Sequence, residues 1–224
     1  MIVQVFAIKS IEEMHMCLEA GLDRWGLEVG KKGIMPSEMS FEKTRSIFAA
    51  TPAGFPKMAL TIDTDIEDLV EIVNETKPDL LHLCGDTRRL LPERVAELRK
   101  KIPEVGIIQA IPVTGPEAVV IAMAYEEVAD VLFLDSVAPN VKGIGIAGVT
   151  HDWSIDRKIV NLVKKPCMMA GGLSPENVAE AIRAVHPWGV DSNTHTNVPG
   201  TWKKDPDRIR RFAEAARADS QNDP

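Results

Sequence analysis

A single closed (β/α)8 barrel is the α/β fold this chain predicts, and three observations predict it. Eight short runs of β-branched or apolar residues recur along the 224 residues. Helical patterns separate most of them, and no Pro/Gly/Ser-rich linker divides the chain. Strands alternating with helices pair in parallel through right-handed crossovers, and eight such units in about 220 residues fit a barrel near its lower size limit. A doubly wound open sheet usually has fewer strands and shows a glycine fingerprint after the first one. Here the first strand ends "FAIKS", without that fingerprint.

In chain order the strand candidates are IVQVFAI (2–8), RWGLEVG (24–30), KMALTID (57–63), DLLHLCG (79–85), GIIQAIP (106–112), DVLFLDS (130–136), PCMMAGG (166–172) and WGVDSNT (188–194). Helical patterns occupy 10–21, 37–50, 65–76, 91–102, 115–128, 174–185 and 206–218. After the sixth strand, SVAPNVKGIGIAGVTHDW reads as one long glycine-rich loop. One barrel domain is therefore expected over 1–216, with 217–224 as a disordered tail.

Composition narrows the function. A net charge of −7 and a pI near 5.3 argue against nucleic acid or an anionic membrane surface as general partners. The cysteines Cys17, Cys84 and Cys167 are widely spaced with no CxxC pair, which points to a reducing compartment and no disulfide framework. The opening strand is too short for a signal peptide and no apolar run has the length of a membrane span, so the cytoplasm is the expected location.

Barrel enzymes place their chemistry where strands end and loops begin. Gly171 and Gly172 end the seventh strand, and Ser174 and Pro175 read as the N-cap and first residue of the next helix. A flexible backbone before a helix N-terminus suits a phosphate, and the following strand ends in Ser192, Asn193 and Thr194, rich in hydroxyl and amide groups. Asp135 closes the apolar run DVLFLD, a place where a carboxylate is costly without a task or a partner. Gly143 and Gly145, in the loop after it, suit a mobile cover. Glu28 in GLEVG and His82 in LLHLCG are polar residues at strand-interior spacing that could point into the mouth. A histidine in a strand is more often a packing residue than a catalyst. Glu28, His82 and Asp135 could alternatively bind a metal, but no spacing signature supports it, and no metal or cofactor is expected.

The C-terminal third resembles the phosphoribosylanthranilate isomerase family. That family reads leucine-aspartate-threonine, a glycine-rich loop, phenylalanine-aspartate-tryptophan, then "AGGL-PENV", "GVDVSSG" and "PG-KD". Here the corresponding text is FLDS, GIGIAGVTHDW, AGGLSPENVAEAI, GVDSNTHTNVPG and KKDPDRI. The N-terminal half matches loosely, through DLLHLCGD against valine-glutamine-leucine-histidine-glycine. The resemblance implies a barrel isomerase that converts a phosphorylated aminoaldose to an aminoketose by an Amadori rearrangement. It places the general acid on Asp135, one phosphate loop on Gly171 and Gly172, and the partner loop on Ser192, Asn193 and Thr194.

Two departures stand out. The family's base is a cysteine before a glycine at the end of strand one, where this chain has Phe6 and Ala7. The arginine that faces the anthranilate carboxylate has no counterpart in VGKKGIMPSE, where Lys31 and Lys32 are the nearest cations. The expectation is that Glu28 replaces the cysteine as base, with Asp135 as acid and His82 polarising or shuttling. The substrate would be a small-molecule phosphosugar that need not carry an aromatic acid. The alternatives are the authentic tryptophan-pathway isomerase with an unusual base and a non-catalytic phosphometabolite-binding barrel. A homodimer is possible.

Overall fold

The computed structural model describes residues 1–137, 143–145 and 148–220. Eight strands form one closed parallel barrel: β1 (Ile2–Val5), β2 (Arg24–Glu28), β3 (Met58–Thr61), β4 (Leu80–Leu83), β5 (Gly106–Pro112), β6 (Val131–Asp135), β7 (Cys167–Met169) and β8 (Gly189–Ser192). Closure is made by β8 against β1, with Gln4 opposite Asp191 and Val5 opposite Ser192. Around it lie α1 (Ile11–Glu19), α2 (Phe41–Ala49), α3 (Ile66–Thr76), α4 (Pro92–Lys101), α5 (Ala118–Tyr125), α6 (Trp153–Leu162), α7 (Val178–Val185) and α8 (Pro206–Ser220). No helix of the described residues is long and apolar enough to cross a membrane.

Successive strand residues point to opposite faces, so the barrel has two cores. Val3, Val5, Trp25, Leu27, Leu81, Leu83, Leu132 and Leu134 face outward and pack against apolar helix residues such as Leu69, Ile72, Ile159 and Phe212. The inward core holds Phe6, Met58, Leu60, Ile108, Ala110, Phe133 and Met168. In that interior the ring of His82 lies 5.1 Å from Phe6 and 4.2 Å from Phe133, centroid to centroid. Phe6 fills its level so fully that a Cβ on Gly26 would fall 2.0 Å from its Cε1.

Side-chain caps end the strand-to-helix connections. Ser10 Oγ accepts from Glu13 N at 3.2 Å, and Asp65 Oδ1 accepts from Glu67 N at 2.9 Å. The expected helix at 37–50 begins only at Phe41. The residues before it form a loop gathered on Glu38, whose carboxylate accepts from the amides of Lys32, Gly33 and Ile34. A helix absent from the expectation, α6, follows Asp152, whose Oδ1 caps it through Ser154 N at 2.9 Å. Its sequence WSIDRKIVNL buries Ile155, Asp156 and Ile159, a stripe too short to stand out beside the glycine-rich loop. At the C-terminus α8 runs to Ser220, beyond the expected barrel boundary at 216. The rest of the expected tail, 221–224, lies outside the described residues.

Gly26→Ala forces Phe6 off its rotamer or moves β2. It should cost about 1–3 kcal/mol of stability, as overpacking does, and urea denaturation measures it. An unchanged midpoint would show that Phe6 does not fill the interior at that level.

Candidate active site

Inward residues at the C-terminal strand ends define the barrel mouth. Three carboxyl groups occupy it, all buried: Glu28 ends β2, Asp135 ends β6 and Asp191 lies on β8 beside Gln4. The Cys84 thiol feels the charge of all three, and burial holds its pKa well above the usual thiol range. Burial pushes Asp135 up to about 7, against the 2.7 Å bond that its Oδ1 accepts from the Ser136 amide. Nearby Asp191 pushes it further up and His151 pulls it down. Burial also takes Asp191 to about 7, while Gln4 Nε2 donates to its Oδ1 at 3.1 Å and Lys204 opposes the shift. Glu28 is raised mainly by burial and accepts from Ser37 N at 3.1 Å through Oε2. Lys204, itself buried and lowered to about 8 by desolvation, donates to the carbonyl and the side-chain oxygen of Asn193 at 3.0 and 3.1 Å.

Gly171 and Gly172 both adopt left-handed backbone, with φ of 78° and 63°. A side chain at Gly172 would collide with the backbone of Val149 and Thr150, so the close approach of that loop requires glycine. The amides of Gly172, Leu173 and Thr194 have no hydrogen-bond partner among the described residues. Such free N–H groups can receive an anion. Ser174 is not the expected helix N-cap: its Oγ accepts from Glu176 N at 3.2 Å within a turn, and the helix starts at Val178 with Asn177 as its N-cap. Asn177 ties the turn together, accepting from Ser174 N and donating to Gly172 O.

Most of the predicted residues converge. Asp135, Gly145, Gly171, Gly172, Ser192, Asn193 and Thr194 line one small cleft, together with Asp191, Gly148 and Leu173. Two of the side chains expected to hold a phosphate already have protein partners. Ser192 Oγ donates to Leu173 O at 2.7 Å, and Asn193 is taken by Lys204. Gly145 lies directly over the acid, since a Cβ there would fall 2.2 Å from Asp135 Oδ2. Gly143 belongs to a larger neighbouring cleft of about 830 Å³, lined also by Lys32, Ile62, Asp63, Arg88, Arg89 and Ile144. The remainder of the expected cover, 138–142 and 146–147, lies outside the described residues.

Glu28 and His82 line neither cleft. Glu28 faces inward but is capped by Ser37. His82 sits deeper, fully buried among rings, with Nδ1 unpartnered and Nε2 3.4 Å from Cys84 Sγ. Burial lowers it to about 3, which keeps the ring neutral. Among the described residues no group of three His, Cys, Asp or Glu side chains could hold a metal ion. Lys31 and Lys32 do not reach into the mouth as free cations: Lys31 pairs with Glu71, and Lys32 with Asp63 and Asp68.

The model of the N-(5'-phosphoribosyl)anthranilate (PRA) isomerase family matches residues 3–215. The chain belongs to that family. Its members are aldose–ketose isomerases, and this chain is one by membership. N-(5'-phosphoribosyl)anthranilate isomerase 2 of Methanosarcina mazei is 33% identical over 97% of this chain and 94% of its own. The Haloferax volcanii isomerase is 33% identical over 88% of this chain and 85% of its own. The phosphoribosylanthranilate isomerase structure from Thermotoga maritima superposes with a TM-score of 0.80 at 24% identity, covering 97% of this chain and all of that one.

Within the PRA isomerase motifs the geometry supports the register at strand one. Ala7 takes a left-handed φ of 63°, the conformation that the family's glycine adopts freely at that place. That conformation agrees with the resemblance, which puts Phe6 at the place of the family's cysteine. Aligned on Gly85, Cys84 rather than His82 falls on the family's histidine. Two groups in the mouth went unnoticed in the sequence. Asp191 carries the same signal as Asp135, a carboxylate at the end of an apolar strand, and His151 replaces the phenylalanine of phenylalanine-aspartate-tryptophan.

Asp135 keeps its proton in the folded state up to about pH 7, while the unfolded chain releases it near 3.8. Between those values the unfolded state binds fewer protons, so stability falls as pH rises. Asp135→Asn should accordingly be near neutral at pH 4 and stabilise by about 1–3 kcal/mol at pH 8. Thermal melts at the two pH values check this; equal effects at both would contradict the desolvated carboxyl.

Proposed function

We propose that the chain isomerises a phosphorylated sugar from aldose to ketose, by an Amadori-type proton transfer in this mouth. The observation that carries the reading is the placement of Asp135 in one cleft with the paired left-handed glycines and the free amides after β7 and β8. Those amides receive the phosphate, and the helix start behind Ser174 favours its charge. Asp135, protonated near neutral pH, donates to the ring oxygen as the bond from that oxygen to carbon 1 breaks. The substrate nitrogen supplies the electron pair that forms C=N. Glu28 as carboxylate takes the proton from carbon 2, the released pair forms the carbon 1–carbon 2 double bond, and the C=N pair returns to nitrogen. Glu28 then returns its proton to carbon 1 while the carbon 2 hydroxyl gives its proton to Asp135. Carbon 2 becomes the ketone and both carboxyl groups regain their starting states. His82, neutral below this layer, supports the mouth by packing and polarises Cys84.

The relatives' names favour N-(5'-phosphoribosyl)anthranilate as the substrate, and it is the first to test. Phe6 and the lack of a free cation after β2 favour a phosphosugar without the aromatic acid. The reading also makes the chain a cytoplasmic enzyme. A Thermotoga maritima relative is described as dimeric, and light scattering would test a homodimer here.

Incubation with phosphoribosylanthranilate and simpler aminoaldose phosphates in deuterated water should label carbon 1 of the ketose product. General-base loss is worth about 10²- to 10⁴-fold, so Glu28→Gln should lower kcat by that range. Undiminished turnover would remove Glu28 from the mechanism. Absence of exchange with every phosphosugar would favour a binding protein without turnover.

A further inference from the structure

The family's thiol is gone from strand one, yet a titratable ring has entered the mouth from the β6–α6 loop. His151 stands where the family has phenylalanine. Its Nε2 lies 2.6 Å from Asp156 Oδ2, and the two side chains are 7% and 0% exposed. Its Nδ1 has no hydrogen-bond partner among the described residues. That nitrogen faces the glycine turn: a Cβ on Gly171 would lie 2.8 Å from His151 Nδ1 and 3.2 Å from Asp135 Oδ1. Imidazole and carboxyl therefore both border the space beside Gly171, and a side chain there would crowd both. Asp156 is buried with His151 as its one ion-pair partner among the described residues. A buried pair of this kind is weak evidence of stabilisation. A carboxylate holding one imidazole nitrogen while the other faces a site is the geometry that orients acid–base histidines.

We propose that His151, oriented by Asp156, is a positioning residue of the isomerisation: across Gly171 it stabilises the Asp135 carboxylate left when the ring oxygen takes the proton. The inference rests on Asp135 being the acid. For that role Nδ1 carries a hydrogen toward Asp135 while Asp156 holds Nε2. The ring neither gains nor loses a proton, so the proton count of the reaction is unchanged.

The groups facing His151 are Asp156 and Asp152 at the start of α6 and Asp135 on β6. Those facing Asp135 are His151, Asp191 on β8 and Cys84 just after β4. Removing the imidazole should thus move the Asp135 titration upward. With 15N-histidine-labelled full-length protein, the His151 midpoint should fall by at least about half a pH unit in Asp135→Asn, since the cation loses its neighbouring charge. In His151→Phe, the limb of the kcat/KM profile set by Asp135 should move to higher pH. Its kcat should fall about 10- to 100-fold with KM within threefold, the pattern of an interaction made in the transition state. Asp156→Asn, which preserves volume, carries the same test should His151→Phe fail to fold. A His151 midpoint indifferent to Asp135→Asn, or an unmoved limb, overturns the pairing. Coupled titration without turnover of any phosphosugar upholds the pairing and overturns the proposed reaction.

Discussion

Desolvation of acidic side chains by barrel closure is the constraint on which the site depends. When β8 pairs with β1, every second residue of each strand loses contact with water. In most of the interior those residues are apolar and the effect is stabilising. At the mouth Glu28, Asp135 and Asp191 are taken out of water by the same operation, and their ionised forms become unfavourable. The fold thereby raises all three, and turns Asp135 and Asp191 into groups that hold protons near neutrality, which is what an acid catalyst requires.

The compensation is partial and directional. Gln4, Ser136 N and Ser37 N each oppose the shift at one carboxyl, and the buried Lys204 opposes it at both Asp191 and Glu28, without abolishing it. Around the neighbouring loops the chain uses backbone rather than side chains. Two left-handed glycines, an asparagine-tied turn and a serine bridging from β8 leave amide hydrogens bare. Acidic groups on one side and bare amides on the other make a polarised mouth in a protein of net charge −7.

Much of this was legible before any coordinates, for identifiable reasons. Strand and helix periods differ, so the eight alternating units stood out, and glycines and carboxylates at apolar strand ends marked the cleft. The short helix α6 was hidden because its few apolar residues follow a glycine-rich loop. His82 was ambiguous because alternation tells which face a residue takes but not how deep it lies; the rings of Phe6 and Phe133 decide that. His151 was unreadable because its relation to Asp135 runs through the missing side chain of Gly171, a contact between three separate loops and strands.

Phe6 has one more effect than the loss of a thiol. An aromatic ring, packed over Gly26 and against His82, fills the interior at that level with apolar surface. Phe6 itself lines neither cleft, so the ring acts from below, as part of the packed base beneath the mouth.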